Sequence, residues 1–198
     1  MGEHCVNLTA LIGSRICHDL ISPIGAISNG LELLELTQTM EGPELALIAE
    51  SAGSAGARIR FFRIAYGAAG DQMLGRVEVT SVLRDIGRDS RLSVDWQPMA
   101  PQNRSEVRMA FLALQCLETA MPLGGVVTIA VDNGQWCVEG RAERIDADRA
   151  PLEILTGTAP GPEITPAQVQ FALLPLHVAD AGRRIETEIG AGRITLRF

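Results

Sequence analysis

Between Leu8 and Leu34 apolar residues recur at Leu8, Leu11, Ile12, Ile16, Leu20, Ile24, Ile27, Leu31 and Leu34. This is the three-or-four spacing of a single helix with one buried stripe. Pro23 falls inside the pattern. It removes one backbone hydrogen bond and crowds the preceding turn, so a bend or bulge is expected near Asp19. Because the periodicity continues past it, the segment reads as one kinked helix and not as two. Thr37 to Pro43, with Gly42-Pro43 at its centre, is a turn signal. A second helix is predicted from Glu44 to Gly67, with Leu45, Ile48, Ala52, Ala55, Ile59, Phe62 and Tyr66 on its inner face. The short connection makes the pair an antiparallel hairpin.

Two helices cannot enclose a core. The stretch from Ser51 to Ala57 holds only Ser, Ala and Gly, so another backbone can approach it closely. Pairing two hairpins about a two-fold axis buries both faces in a four-helix bundle, which predicts a homodimer. Packing of the hairpin on its own C-terminal half is the alternative.

The remaining composition narrows the class. Aromatics make up only 4% of the residues, so the core is expected to rest on Ala, Leu, Ile and Val. A net charge of −7 argues against a nucleic-acid partner, which calls for a basic stripe. The four cysteines, at 5, 17, 116 and 137, form no C-x-x-C pair and no zinc-spaced cluster. No signal peptide and no membrane-length apolar run is read, so a reduced cytoplasm is the expected location. Cys17 is expected to be a buried structural thiol.

His18 stands apart from the apolar stripe. Helical spacing predicts a low, polar flank for it, made of Ser14, Arg15, Ser22, Gly25, Ala26 and Asn29, open to a bulky protein partner. An imidazole attacks phosphorus only as the neutral ring, and a free imidazole is mostly neutral at pH 7. Asp19 is the candidate to hold one ring N–H, choose the tautomer and stabilise the charge that develops on the ring. Neighbours on a helix point about 100° apart, so this contact is expected to need the distortion supplied by Pro23. Ser22, one turn on, either orients a water for dephosphorylation or bonds back to its own helix. Arg60 and Arg63 are expected at the same height of the hairpin, where they either screen phosphate charge or form a solvated face. His4 and His177 lack the acid-and-proline context; His4 reads as terminal and His177 as part of a packed helix.

After Gly67 to Gly70, read as a flexible junction, the pattern turns mixed. Helices are predicted over Val79 to Arg88, Ser105 to Met121 and Pro166 to Asp180. Strands are predicted over Leu92 to Trp96, Val126 to Asp132, Trp136 to Ala142, Arg184 to Ile189 and Arg193 to Phe198. The middle pair turns at Asp132-Asn133-Gly134. This order makes an α/β sandwich with helices on one face of a mixed sheet, so the whole chain is α+β.

The segment Cys17-His18-Asp19-Leu20-Ile21-Ser22-Pro23-Ile24-Gly25-Ala26-Ile27 resembles the H-box of histidine kinases, with His18 at the phosphorylated position and Asp19 at the acidic one. The order of the second half is similar to their ATP-binding domain, but its nucleotide motifs are missing. Cys116 stands where the resemblance calls for a metal-binding asparagine. Val138 to Arg144 lacks the Asp-x-Gly-x-Gly box, and Gln168 to Phe171 lacks the Gly-x-Gly. A kinase-like body without these motifs resembles the histidine phosphotransferases of the ChpT type found in alphaproteobacteria. Their second hallmark is matched by Arg60-Phe61-Phe62-Arg63-Ile64-Ala65-Tyr66-Gly67.

The resemblance implies a dimerisation and phosphoacceptor hairpin over residues 1–70 and a degenerate ATPase-like domain over 71–198. It implies a shuttle of phosphoryl groups between the receiver domain of a hybrid histidine kinase and response regulators, in a relay of cell-cycle or developmental control. No ATP binding and no autokinase activity is expected, and Mg²⁺ is expected to be carried by the receiver. Arg15, Gly25, Ala26, Asn29, Arg60 and Arg63 are the expected partner contacts. Two other readings stand beside this one: a divergent ATP-dependent kinase core, and a non-catalytic dimeric interaction module.

Overall fold

The computed structural model describes residues 2–37, 43–68, 70–88, 90–146, 151–156 and 164–198, with the side chains of the first helix described from 8 to 34. Most of the turn expected at Thr37 to Pro43, and Ala69 of the expected junction, lie outside the described residues. Helix α1 spans Gly2–Thr37 and passes through Pro23 without ending. Helix α2 spans Pro43–Ala65 and packs antiparallel along it. They approach closely at Gly30, where a Cβ would lie 2.5 Å from Ile48 Cγ1. The hairpin therefore has its own glycine contact, while a Cβ at Gly53 in the small-residue stretch of α2 would meet nothing within 4 Å.

The C-terminal body follows as β1 (Met73–Leu74), α3 (Arg76–Gly87), β2 (Leu92–Trp96), β3 (Gln102–Asn103), α4 (Arg104–Ala120), β4 (Gly125–Asp132) and β5 (Gln135–Arg141). It continues with α5 (Leu152–Thr156), a 3₁₀ turn (Pro166–Gln168), α6 (Val169–Asp180), β6 (Glu186–Gly190) and β7 (Arg193–Arg197). The main sheet has the order β2-β4-β5-β7-β6. β2 runs parallel to β4 and the other neighbours are antiparallel, so the sheet is mixed as expected. The parallel pair is joined through α4, the crossover that parallel strands require. Asn133 and Gly134 take φ of 50° and 82°, the left-handed pair that closes a two-residue hairpin between β4 and β5. The two-residue strands β1 and β3 and the short α5 were not expected; none is long enough to show a period.

Inward positions of the sheet, among them Val127, Ile129, Val138, Ile194 and Leu196, are fully buried and share one core with α4 and α6. The alternate positions Ser93, Asp95 and Glu188 face solvent. Aliphatics fill most of this core, yet the scarce aromatics are concentrated where the hairpin meets the body. Phe61 stacks on Phe111 at 4.7 Å between ring centroids, Phe111 meets Trp96 edge-on at 6.5 Å, and Trp96 meets Trp136 at 5.6 Å. Such pairs contribute about 0.5–1.5 kcal/mol each beyond area burial. The end of α2 is thereby built into the core of the body, and Leu8, Leu11, Ile12 and Ile16 of α1 pack against the same cluster. Among the described residues no helix is long and apolar enough to cross a membrane.

Cys116 is fully buried in α4, and burial pushes its thiol well above the ordinary value. The folded state then holds this proton more tightly than the unfolded chain does. As pH rises past the ordinary thiol value the unfolded chain ionises first, so stability falls with pH, by about 1.4 kcal/mol per unit. Thermal melts should show Tm dropping between about pH 8.5 and 10. Cys116→Ala should flatten that limb at a pH-independent cost of about 1 kcal/mol.

Candidate functional site

His18 lies on α1 with its side chain 81% exposed. Its Nδ1 is 3.1 Å from Asp19 Oδ1. The other carboxylate oxygen, Oδ2, accepts a hydrogen bond from Arg15 Nε at 2.7 Å, the i,i+4 pairing of a helix. Arg15 holds one oxygen from the turn before and so aims the second back at the ring, which brings adjacent residues into contact despite their different directions. Arg15 Nη1 also donates to the Ala167 carbonyl at 2.7 Å, reaching the 3₁₀ turn of the C-terminal body.

A carboxylate only accepts hydrogen bonds. In the neutral ring the proton therefore sits on Nδ1, and the Nε2 lone pair is left on the solvent side. An unprotonated nitrogen on an exposed imidazole is able to act as a nucleophile.

Behind Asp19 a cleft between the hairpin and the body is lined by Arg15, Asp19, Arg58, Phe62, Gln115 and Glu118, among others. Tyr66 donates to Gln115 Oε1 at 2.9 Å. Burial pushes its phenol up to about 12, against the opposing pull of Arg15 and of the Gln115 bond, so it stays a neutral donor. Desolvation within the cleft also raises Glu118, while Arg15 and Arg58 pull it down and Asp19 pushes it up. Glu118 keeps solvent contact at its surface, which tempers the upward push.

The other expected residues divide. Ser22, Gly25 and Asn29 are exposed along α1 beyond His18, and Ala26 is half-buried. A Cβ at Gly25 would meet nothing within 4 Å, so the patch there is low. It is not wholly polar. Ile21, three residues from His18, is 72% exposed and corrects the expectation of a polar flank. Cys17 is exposed as well, not buried, because α1 turns that edge away from α2. Arg15 is only 17% exposed, with Nε and Nη1 engaged inside the molecule.

Arg60 and Arg63 line a groove against α3, where Arg60 donates to Asp85 at 2.8 Å. Arg58 is the α2 arginine in the cleft with Asp19. Residues two apart on a helix differ by about 200°, so Arg58 and Arg60 point to different sides of α2. His177 is half-buried on α6, its imidazole pulled down by burial and by Arg108. The side chain of His4 lies outside the described residues. Of the positions where nucleotide motifs were sought, Cys116, Val169, Gln170 and Phe171 are 0% exposed and Gln168 is half-buried.

Fold and site together define an α+β protein that offers, among the described residues, one solvent-facing imidazole, braced by an acid, from a helical hairpin. The family described as "Histidine phosphotransferase C-terminal domain" matches residues 76–193. The chain is 34% identical over 191 residues to "Protein phosphotransferase ChpT" of Brucella abortus (strain 2308), covering 91% of this chain and 89% of that protein. It also resembles a solved bacterial phosphotransferase at 33% identity and a TM-score of 0.78, covering 97% of this chain and 95% of that one. The chain belongs to the ChpT-type histidine phosphotransferase family, and its function is phosphoryl transfer in a phosphorelay.

Proposed function

We propose that His18 Nε2 is the atom that receives and passes on the phosphoryl group, taking it from the receiver domain of a hybrid histidine kinase and delivering it to response regulators. The observation that carries this reading is the bond from His18 Nδ1 to Asp19, which leaves Nε2 free on an exposed ring. The Nε2 lone pair forms the N–P bond as the P–O bond to the receiver's aspartate breaks, and the aspartate leaves with the electron pair. The proton stays on Nδ1, where Asp19 offsets the positive charge of the ring. The reverse step returns the electron pair to Nε2. Mg²⁺ enters with the receiver's own acidic pocket.

In this reading residues 1–70 form the phosphoacceptor unit, and 71–198 serve as a docking body in a reduced cytoplasm. The exposed patch of Ser22, Gly25 and Asn29 receives the partner, with Ala26 at its edge. Absence of ATP binding is supported by the burial of Cys116 and of Val169 to Phe171, which leaves no metal ligand and no glycine turn at those places.

Asp19→Asn tests the chemistry. An amide carries no charge to balance the ring and can donate to Nδ1, which selects the wrong tautomer. Transfer from a phosphorylated receiver should slow by about 10²-fold or more, with the oligomeric mass unchanged. Titration calorimetry with Mg-ATP should show no saturable heat. Saturable binding would favour the divergent-kinase reading.

A further inference from the structure

We infer that Arg15 is a positioning residue that sets the tautomer of His18 by clamping Asp19, and that it does so from an anchor in the C-terminal body. The inference rests on His18 being the reacting residue. An aspartate beside its own histidine can rotate about its side-chain torsions, and alone it has no reason to keep one oxygen on Nδ1. Arg15 supplies that reason: its Nε takes Oδ2 at 2.7 Å, which leaves Oδ1 for Nδ1 at 3.1 Å.

The clamp is itself held. Arg15 Nη1 donates to the Ala167 carbonyl at 2.7 Å. The same carbonyl accepts from Gln170 Nε2 at 3.1 Å, and Gln170, which is 0% exposed, also donates to Thr119 Oγ1 on α4 at 3.1 Å. A capping box between Thr165 and Gln168 stiffens the turn that carries Ala167. The orientation of His18 is therefore tied, through one side chain, to a segment more than a hundred residues away in sequence.

The chemistry suits arginine and not lysine. The guanidinium presents Nε–H and Nη–H in one rigid plane, so it grips the carboxylate and the carbonyl together, which a single ammonium cannot do with the same geometry. It touches neither the phosphoryl group nor the reacting nitrogen.

Ring ¹⁵N NMR of the full-length protein at about pH 8, where a free imidazole is neutral, reads the tautomer directly, with His18→Ala identifying the signals. The unsubstituted protein should show one tautomer, protonated at Nδ1. Arg15→Ala and Arg15→Lys should show a mixture. With a phosphorylated receiver, both variants should lose about 10–100-fold in kcat, while KM changes by less than about threefold. Arg15→Lys is the milder change, so it remains readable if Arg15→Ala folds poorly. A single Nδ1–H tautomer retained in Arg15→Lys, with KM raised and kcat unchanged, would overturn the inference and make Arg15 a partner contact. Failure of the unsubstituted protein to accept label would instead sink the assignment of His18, and the NMR outcome would be read independently of it.

Discussion

His18→Ala should take no detectable label from a phosphorylated receiver, while folding as the unsubstituted protein does. The side chain is 81% exposed, and its one polar contact is to Asp19. Removing it costs within about 0.5 kcal/mol of stability, as surface substitutions do. Asp19 keeps its partner in Arg15, so no buried charge is orphaned. The chemical loss is expected to be total, because among the described residues the other imidazole, His177, is half-buried on α6. Phosphoamino-acid analysis and a thermal melt on the same variant separate the two effects. Label that persists in His18→Ala at full stability would move the acceptor elsewhere and reduce the braced imidazole to a structural detail.

The second large effect concerns assembly. The homodimer is proposed from two rows of exposed residues with heptad-like spacing. On α1 the row is Cys17, Ile21, Ile24, Ser28 and Leu31; on α2 it is Leu45, Ala49, Ala52 and Ile59, with the half-buried Gly56 between the last two. Ile21, Ile24 and Leu31 are 72%, 53% and 50% exposed in the single chain, and Leu45 and Ile59 are 49% and 47% exposed. Two parallel apolar rows on one hairpin are what a two-fold bundle covers. Light scattering should give twice the 21.2 kDa chain mass.

Ile24→Asp combined with Leu31→Asp should give a monomer. Symmetry makes each substitution act twice, and burial of each such side chain contributes at least about 1.5 kcal/mol, so the dimer should weaken by about 6 kcal/mol, roughly 10⁴-fold. The variant should stay folded, because the ends of both helices belong to the core of the body. A monomeric mass for the unsubstituted protein at micromolar concentration would end the bundle proposal. A dimeric mass retained in the double variant would place the contact on another face.

Much of the architecture is local and therefore readable from residue order. Apolar spacing marks α1 and α2, and Asp132-Asn133-Gly134 marks the central hairpin, because period and turn chemistry act over a few residues. The acid beside His18 and the proline five residues on are visible for the same reason. Where a helix turns its faces is not local. Arg58 and not Arg60 or Arg63 meets the cleft because the rotation of α2 is set by Phe61 stacking on Phe111 in the body. Cys17 and Ile21 are exposed because the single hairpin covers only one side of α1.

Residue order alone thus determined the hairpin, the succession of the longer strands and helices, and the histidine proposed to carry the phosphoryl group. Only the tertiary structure decided how that histidine is held. The bond from Arg15 to the Ala167 carbonyl joins positions 152 residues apart. No periodicity encodes a contact at that range; it exists only once α4 and α6 have packed and carried the 3₁₀ turn back against α1.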